Sequence, residues 1–411
     1  MNSEGITLLE GPNFSGRTTW ARKAVGLPGI PTFTGSQTVI PCSEIRPRVG
    51  AYVGPDVVSS LTGLVGTVSS ELQLQARACK REVLQRSASY EIMEGLGLLR
   101  RNPFTLSGGE QALVAIAAAC LAGERVVAID TAFEQLASDF VQASVVDLRA
   151  FASEGRSAVV IDNRAYETLG GSIQNVIRFA NTWTPFNLRP EALKNQVASM
   201  RLSVRGLSFS YNKDKDILSN ADADLEPGRI YHLRGRNGAG KSTLAKILAG
   251  LLRPTGGEIL ADGVRISPWR KPASVVAYHF QNPDHQLFRS TVHEELASCN
   301  LNGSQSQEVL QTVSAAFGLD THLHTHPLDL SYTLRKRVAL AASISMQRPW
   351  LILDEPTLGQ DAQASGDIAE ILRVLAREGA GIILISHSSE LPKSLGCSLI
   401  ELRGGTLHAR Q

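Results

Sequence analysis

Lys241 and Ser242 close the string Gly235-Arg236-Asn237-Gly238-Ala239-Gly240-Lys241-Ser242, followed by Thr243, and this satisfies G-x-x-x-x-G-K-[ST]. Glycine lets backbone N–H groups turn inward on an anion, lysine reaches the β/γ-phosphates, and the serine hydroxyl is a hard oxygen suited to Mg2+. Further along, WLILDE supplies Asp354, which fits Mg2+ directly or through water, and Glu355, which can polarise an attacking water. The chemistry implied is binding and cleavage of a nucleoside triphosphate.

These residues need a particular setting. RIYHLR before Gly235 reads as a strand and LAKILAGLL after Ser242 as a helix, so the loop falls between the two elements a phosphate site requires. A glycine-rich connecting turn would not need that context. WLILDE reads as a buried strand with its acidic residues at the carboxyl end.

The setting occurs twice. Gly11-Pro-Asn-Phe-Ser-Gly16-Arg17-Thr18 follows ITLLE, and Arg17 lies 224 positions before Lys241. LSGGEQ from Leu106 and LSYTLR from Leu330 keep the offset of 224, as do VVAIDT with WLILDE and VVIDN with ILISH. One offset held across the chain indicates a tandem duplication whose halves have drifted. The expected units are 1–190 and 201–411, joined through Trp183 to Met200, where Pro185 and Pro190 interrupt helical periodicity. A length of 411 residues suits two such units. Apolar strand-like runs alternate with amphipathic helical stretches, which predicts an α/β class with mostly parallel sheets. Thr255 to Ile266 reads as a hairpin with an Asp-Gly turn, so an antiparallel portion is expected in the second half. Thirty-four residues separate Met200 from Gly235, whereas ten precede Gly11; the first half is expected to lack part of that antiparallel sheet, or its true start is not represented.

Composition narrows the partners. The net charge is +2, with 43% hydrophobic and 19% charged residues, so no electrostatic reason favours a polyanion. The longest small-apolar run, Ala112 to Ala122, is shorter than the roughly 20 residues of a membrane span. The start MNSEGITLLEGPNFSG has neither a basic leader nor an apolar core, so a cytoplasmic location is expected. Cys42, Cys79, Cys120, Cys299 and Cys397 are odd in number and lack C-x-x-C spacing, which argues against a disulfide framework or a zinc site. His322, His324 and His326 alternate in THLHTHP without a cysteine or paired carboxylate, and read as an ordinary loop.

The phosphate loop alone fits several enzyme classes; LSGGEQ separates them. With it the chain resembles the nucleotide-binding subunits of ABC transporters, in which such a string opens a helix and grips the γ-phosphate of ATP held by the opposite half. The resemblance extends over nearly the whole chain. It implies that Ser107, Gly108 and Gly109 are that clamp, that Tyr211 stacks on adenine, that Gln281 senses γ-phosphate and Mg2+, that His387 is the switch histidine, and that Asp361 communicates between halves. The ATP contacts would then be Tyr211, Asn237 to Thr243 and Ser107 to Gly109, with Ser242, Gln281 and Asp354 toward Mg2+ and Glu355, Gln281 and His387 catalytic. Gln281-Asn-Pro-Asp-His-Gln-Leu-Phe288 is most similar to the ATPases of energy-coupling factor (ECF) importers. That similarity implies a transmembrane coupling protein, a substrate-capture protein, a vitamin or metal-ion cargo, and a place on the inner face of the cell membrane.

The halves depart from the family pattern in complementary ways. The degenerate set Gly11, Gly16, Arg17, Thr18, Asp130, Thr131 and Asn163 puts Arg for Lys, Thr for the catalytic Glu and Asn for the switch His, and Ala137 stands opposite Asp361. Its LSGGEQ is intact. The second half keeps its phosphate loop and acidic end, but Tyr332 and Thr333 follow Ser331 where glycine would let the backbone approach phosphate. A head-to-tail closure of the halves, as the family implies, would leave one complete ATP site and one without a base. The alternatives are a soluble ABC ATPase acting on ribosomes or DNA, whose relatives carry long charged linkers or basic arms, and a regulatory module without turnover.

Overall fold

The computed structural model describes residues 5–10, 17–26, 50–78, 87–122, 125–136, 138–162, 169, 171, 173–178, 199–211, 216–236, 238–298, 306–386 and 390–410. The chain divides into two compact units, Met1–Thr184 with Leu358–Asp361, and Pro185–Thr357 with Ala362–Gln411. Of the seam read from Trp183 to Met200, residues 183–198 lie outside the described residues.

In the first unit β1 (Gly5–Glu10), β2 (Gly50–Val53), β3 (Val126–Asp130), β4 (Ser157–Ile161) and β5 (Ile173–Arg178) form a five-stranded sheet in the order β2-β3-β4-β1-β5. Every pairing in it is parallel. The helices are α1 (Arg17–Ala24), α2 (Val68–Ala78), α3 (Ala88–Gly95), α4 (Gly108–Ala122) and α5 (Ser138–Ser153). Val127, Ile129, Ala158 and Val160 face α4 and α5, while Leu9, Ala128 and Val159 face Trp20 and Ala21 of α1. Burial on both faces is why VVAID and SAVVI are continuous apolar runs and not alternating ones.

The second unit has two sheets. The first, β6 (Leu202–Ser210), β7 (Asp216–Leu225), β9 (Gly256–Ala261) and β10 (Val264–Ile266), runs β10-β9-β6-β7 and is antiparallel. The other contains β8 (Ile230–Arg234), β11 (Val276–His279), β12 (Trp350–Asp354), β13 (Gly381–Ile385), β14 (Ser398–Arg403) and β15 (Thr406–Arg410), in the order β11-β12-β13-β8-β14-β15. It is parallel except for the closing β14–β15 hairpin. The helices are α6 (Lys241–Leu248), α7 (Val292–Ser298), α8 (Ser306–Ala316), α9 (Tyr332–Ser345), α10 (Ala362–Arg377) and α11 (Glu390–Leu395). The expected Asp-Gly hairpin joins β9 to β10, with φ of 47° at Asp262 and 78° at Gly263, both positive as its two-residue turn requires.

The parallel sheets share one strand order: β2, β3, β4, β1 and β5 take the places of β11, β12, β13, β8 and β14. Among the described residues the first unit has no counterpart of the antiparallel sheet. Among them, too, no helix is long and apolar enough to cross a membrane.

Candidate functional site

The phosphate loop of the second unit leaves β8 and enters α6 at Lys241. Gly240 adopts φ +100°, and a Cβ there would come within 2.6 Å of Ile217 Cγ2, so the position tolerates only glycine. Lys241 Nζ donates to the carbonyls of Gly235 (2.9 Å) and Arg236 (3.2 Å). Burial lowers its pKa, and the carboxylates of Asp354 and Glu355 oppose that shift. Asn237 lies outside the described residues. Tyr211 is 59% exposed, in a T-shaped contact with Phe209 and with its hydroxyl 3.3 Å from Thr243 Oγ1, so much of its ring is open to solvent beside α6.

At the carboxyl end of β12, Asp354 Oδ2 accepts from Ser242 Oγ (2.8 Å) and from Tyr278 OH (2.9 Å). A hydroxyl and a carboxylate, both hard oxygen donors of the kind Mg2+ takes, therefore meet at this point. Glu355 follows with φ 51°. Its N–H donates to Ile385 O (2.9 Å), its Oε2 accepts from Ser386 Oγ (3.2 Å), and its carbonyl accepts from Lys336 Nζ (2.6 Å). His387, the next residue after Ser386, lies outside the described residues. Gln281 stands two residues beyond β11 and is half-buried.

The first unit repeats this framework with other side chains. Tyr52 OH donates to Asp130 Oδ2 (2.9 Å), and Thr18 also hydrogen-bonds Asp130. Burial raises the pKa of Asp130, opposed by these bonds and by the cations Arg17 and Arg22. Thr131 has φ 57° and donates its N–H to Ile161 O (2.7 Å), the backbone geometry of Glu355 without its carboxylate. Arg17 is 7% exposed; burial lowers its pKa, opposed by Asp130, Asp361, Glu134 and Asp162. Glu134 also accepts from the Gly359 N–H (2.8 Å). Gly11, Gly16 and Asn163 lie outside the described residues, as does Ala137.

The two signature segments differ at their helix starts. Ser107 precedes α4; its N–H (2.7 Å) and hydroxyl (2.9 Å) both donate to Glu110 Oε2, and its Oγ accepts from the Glu110 N–H (3.4 Å). This is a capping box. Gly108 and Gly109 form the first turn. Ser331 caps α9 by accepting from Leu334 N–H (3.4 Å), without a reciprocal carboxylate. Tyr332 lies under the guanidinium of Arg335, which pairs with Asp284 (3.2 Å).

A family profile described as "ABC transporter" matches residues 218–358. An energy-coupling factor transporter ATP-binding protein EcfA1 of Thermotoga maritima is 37% identical over 195 residues, covering 46% of this chain and 74% of that one. The chain belongs to the ABC transporter ATP-binding family. The EcfA protein of Methanothermobacter thermautotrophicus is 35% identical over 216 residues, 51% of this chain and 70% of that one. A putative ABC transporter ATP-binding protein of Methanosarcina mazei aligns over 444 positions at 28% identity, spanning 98% of this chain and 88% of that one.

For this ABC ATPase, several site residues carried no motif that would have announced them. Tyr52 and Tyr278 hold the two aspartates but lie 226 positions apart, off the common offset. Gln286, just past Gln281, donates to Ala339 O (2.6 Å) and accepts from Phe280 N–H (2.9 Å), tying that segment to α9. Glu295 of α7 accepts the N–H groups of Phe288 and Arg289 (2.9 and 2.8 Å). These bonds hold Phe288 78% exposed above a groove lined by Arg289, His293, Glu294 and Ala297. His322 is buried while His324 and His326 are exposed, so the three do not converge.

Proposed function

We propose that this ABC ATPase powers an uptake transporter of the energy-coupling factor kind, through two fused nucleotide-binding domains, 1–190 and 201–411, with one complete ATP site and one degenerate site. The observation carrying this reading is the Ser242–Asp354–Tyr278 cluster beside Glu355 at 2.8 and 2.9 Å, against Thr131 in the same backbone geometry of the first unit. In the proposed mechanism Lys241 exchanges its loop carbonyls for phosphate oxygens, and Tyr211 receives the adenine on its exposed ring. Ser242 and Asp354, with Gln281, would hold Mg2+, which would supply charge neutralisation on the phosphates when bound. Glu355 orients the attacking water, and His387 contacts the γ-phosphate. Ser107, Gly108 and Gly109 complete the clamp on that nucleotide, with the two halves closing head to tail.

The names of the Thermotoga and Methanothermobacter relatives support the importer reading, with a transmembrane coupling protein and a substrate-capture protein as partners. The groove beside Phe288 is the proposed contact for the coupling protein, at the inner face of the membrane. Asp284 is engaged by Arg335, so Phe288 is the better probe of docking. Glu355→Gln should retain ATP binding and lose about 10²-fold or more in turnover, whereas Thr131→Ala should leave steady-state hydrolysis close to wild type. Near-normal hydrolysis by Glu355→Gln would refute the assignment.

A further inference from the structure

We infer that His232 and Ser386 are positioning residues for Glu355, joined to it by a chain of two hydrogen bonds that aims its carboxylate at the attacking water. The inference rests on Glu355 being the residue that orients that water. Ser386 follows β13, and its Oγ donates to Glu355 Oε2 at 3.2 Å. His232 lies in β8, paired with Leu384 of β13, and its Nε2 is 3.2 Å from the Ser386 carbonyl oxygen. A carbonyl oxygen only accepts, so Nε2 carries the proton and donates. That carbonyl belongs to the planar peptide bond leading into His387, so the imidazole fixes the peptide that follows the hydroxyl. Ser386 and Glu355 are 8% and 7% exposed, so water competes little for the bond between them. A general base needs such a third group to hold its orientation.

The first unit shows what the fold requires without this chain of bonds. The Glu355 N–H donates to Ile385 O at 2.9 Å and the Thr131 N–H to Ile161 O at 2.7 Å, with φ of 51° and 57°, so the backbone turn is common to both units. The side chains are not. At the offset of 224, His232, Ser386 and Glu355 become Leu8, Asp162 and Thr131. Leucine has no side-chain donor, and an ionised aspartate cannot donate to a glutamate and would repel it. The strand ends form with all three residues changed, so imidazole, hydroxyl and carboxylate are not what builds them. The two donors are absent in the half where the glutamate is absent.

Steady-state ATP hydrolysis by the full chain in its assembled complex, over a range of ATP concentrations, tests this. Ser386→Ala should lower kcat on the order of tenfold with little change in KM, because only the aim of Glu355 is lost. Ser386→Thr, which keeps the hydroxyl, should recover most of kcat. His232→Leu, which installs the residue of the first half, should lower kcat several-fold, and His232→Gln, whose amide N–H can replace that of Nε2, should recover part of it. In a Glu355→Gln background neither Ser386→Ala nor His232→Leu should slow single-turnover hydrolysis further, since both act through the missing carboxylate. Wild-type kcat in Ser386→Ala, no recovery in Ser386→Thr, or the same fold loss in the Glu355→Gln background would overturn the inference. Near-normal hydrolysis by Glu355→Gln alone would instead refute the reading of Glu355 on which it rests. Should His232→Leu fail to fold, the two Ser386 variants and the Glu355→Gln background still decide.

Discussion

Glu355 needs more than its own side chain to be placed. Its positive φ turns the chain sharply at the end of β12, and its carbonyl is held at 2.6 Å by Lys336, a side chain 1% exposed and lying in α9. The matching pair in the first unit is Thr131 and Ala112, so the glutamate and the lysine are absent together. We therefore expect Lys336 to be a positioning residue for Glu355. Lys336→Ala should lower kcat with little change in KM, and destabilise the chain by about 1–3 kcal/mol by removing a buried charge-assisted hydrogen bond. Steady-state ATPase assays and urea melts would measure both. Lys336→Arg, which restores a donor, should recover part of kcat; equal losses of kcat in both variants without recovery would mean that Lys336 serves packing alone. The glutamate was legible in sequence from its place after WLILD. The lysine was not, because nothing local announces a contact between residues 19 positions apart on different elements.

At the scale of the element, the signature helix α4 shows how a motif and a cap can compete for the same atoms. Ser107 spends its N–H and hydroxyl on Glu110, satisfying two groups at a helix start that otherwise have no intrahelical partner. In the proposed clamp, those same groups and the bare Gly108 and Gly109 turn toward a phosphate. Glu110 thus sets a negative charge where another negative charge has to arrive. Glu110→Gln keeps a capping side chain at that position and removes the charge. It should preserve the melting temperature within about 1 °C of wild type for an effect of a few tenths of a kcal/mol. It should also lower the ATP concentration for half-maximal hydrolysis several-fold. Glu110→Ala should lose about 1 kcal/mol of helix-start stability. Elements of this kind were readable from sequence where a local rule fixes them: the Asp262-Gly263 hairpin and the loop before α6. Sheet packing was less so. A Cβ on Gly381 would meet the Trp350 ring at 2.4 Å, a neighbour relation set by β12 and β13 pairing and invisible until the strand order is known.

For the whole molecule, the distribution of losses is the feature to explain. The first half keeps LSGGEQ, while its phosphate-loop lysine is replaced by Arg17 and its glutamate by Thr131. The second half keeps its loop and acidic end, while Tyr332 and Arg335 stack over the start of α9 and Arg335 pairs with Asp284. The offset of 224 made this asymmetry legible in sequence, and the common strand order of the two parallel sheets supports reading it as duplication. If one half supplies the nucleotide loop and the other the clamp, damage to the two serines must have unequal effects. Ser107→Arg puts a long cation at a helix start where glycine-flanked backbone approaches phosphate, and should inhibit ATP hydrolysis about as severely as Lys241→Ala. Ser331→Arg alters a start already occupied by aromatic and guanidinium side chains and serving a unit without a base, so it should be much milder. Steady-state hydrolysis by the full chain in its assembled complex, with nucleotide binding measured in parallel, compares the three variants directly. If Ser331→Arg proved the more damaging, the clamp would belong to α9, and the single-site reading would fail despite the intact residues around Glu355.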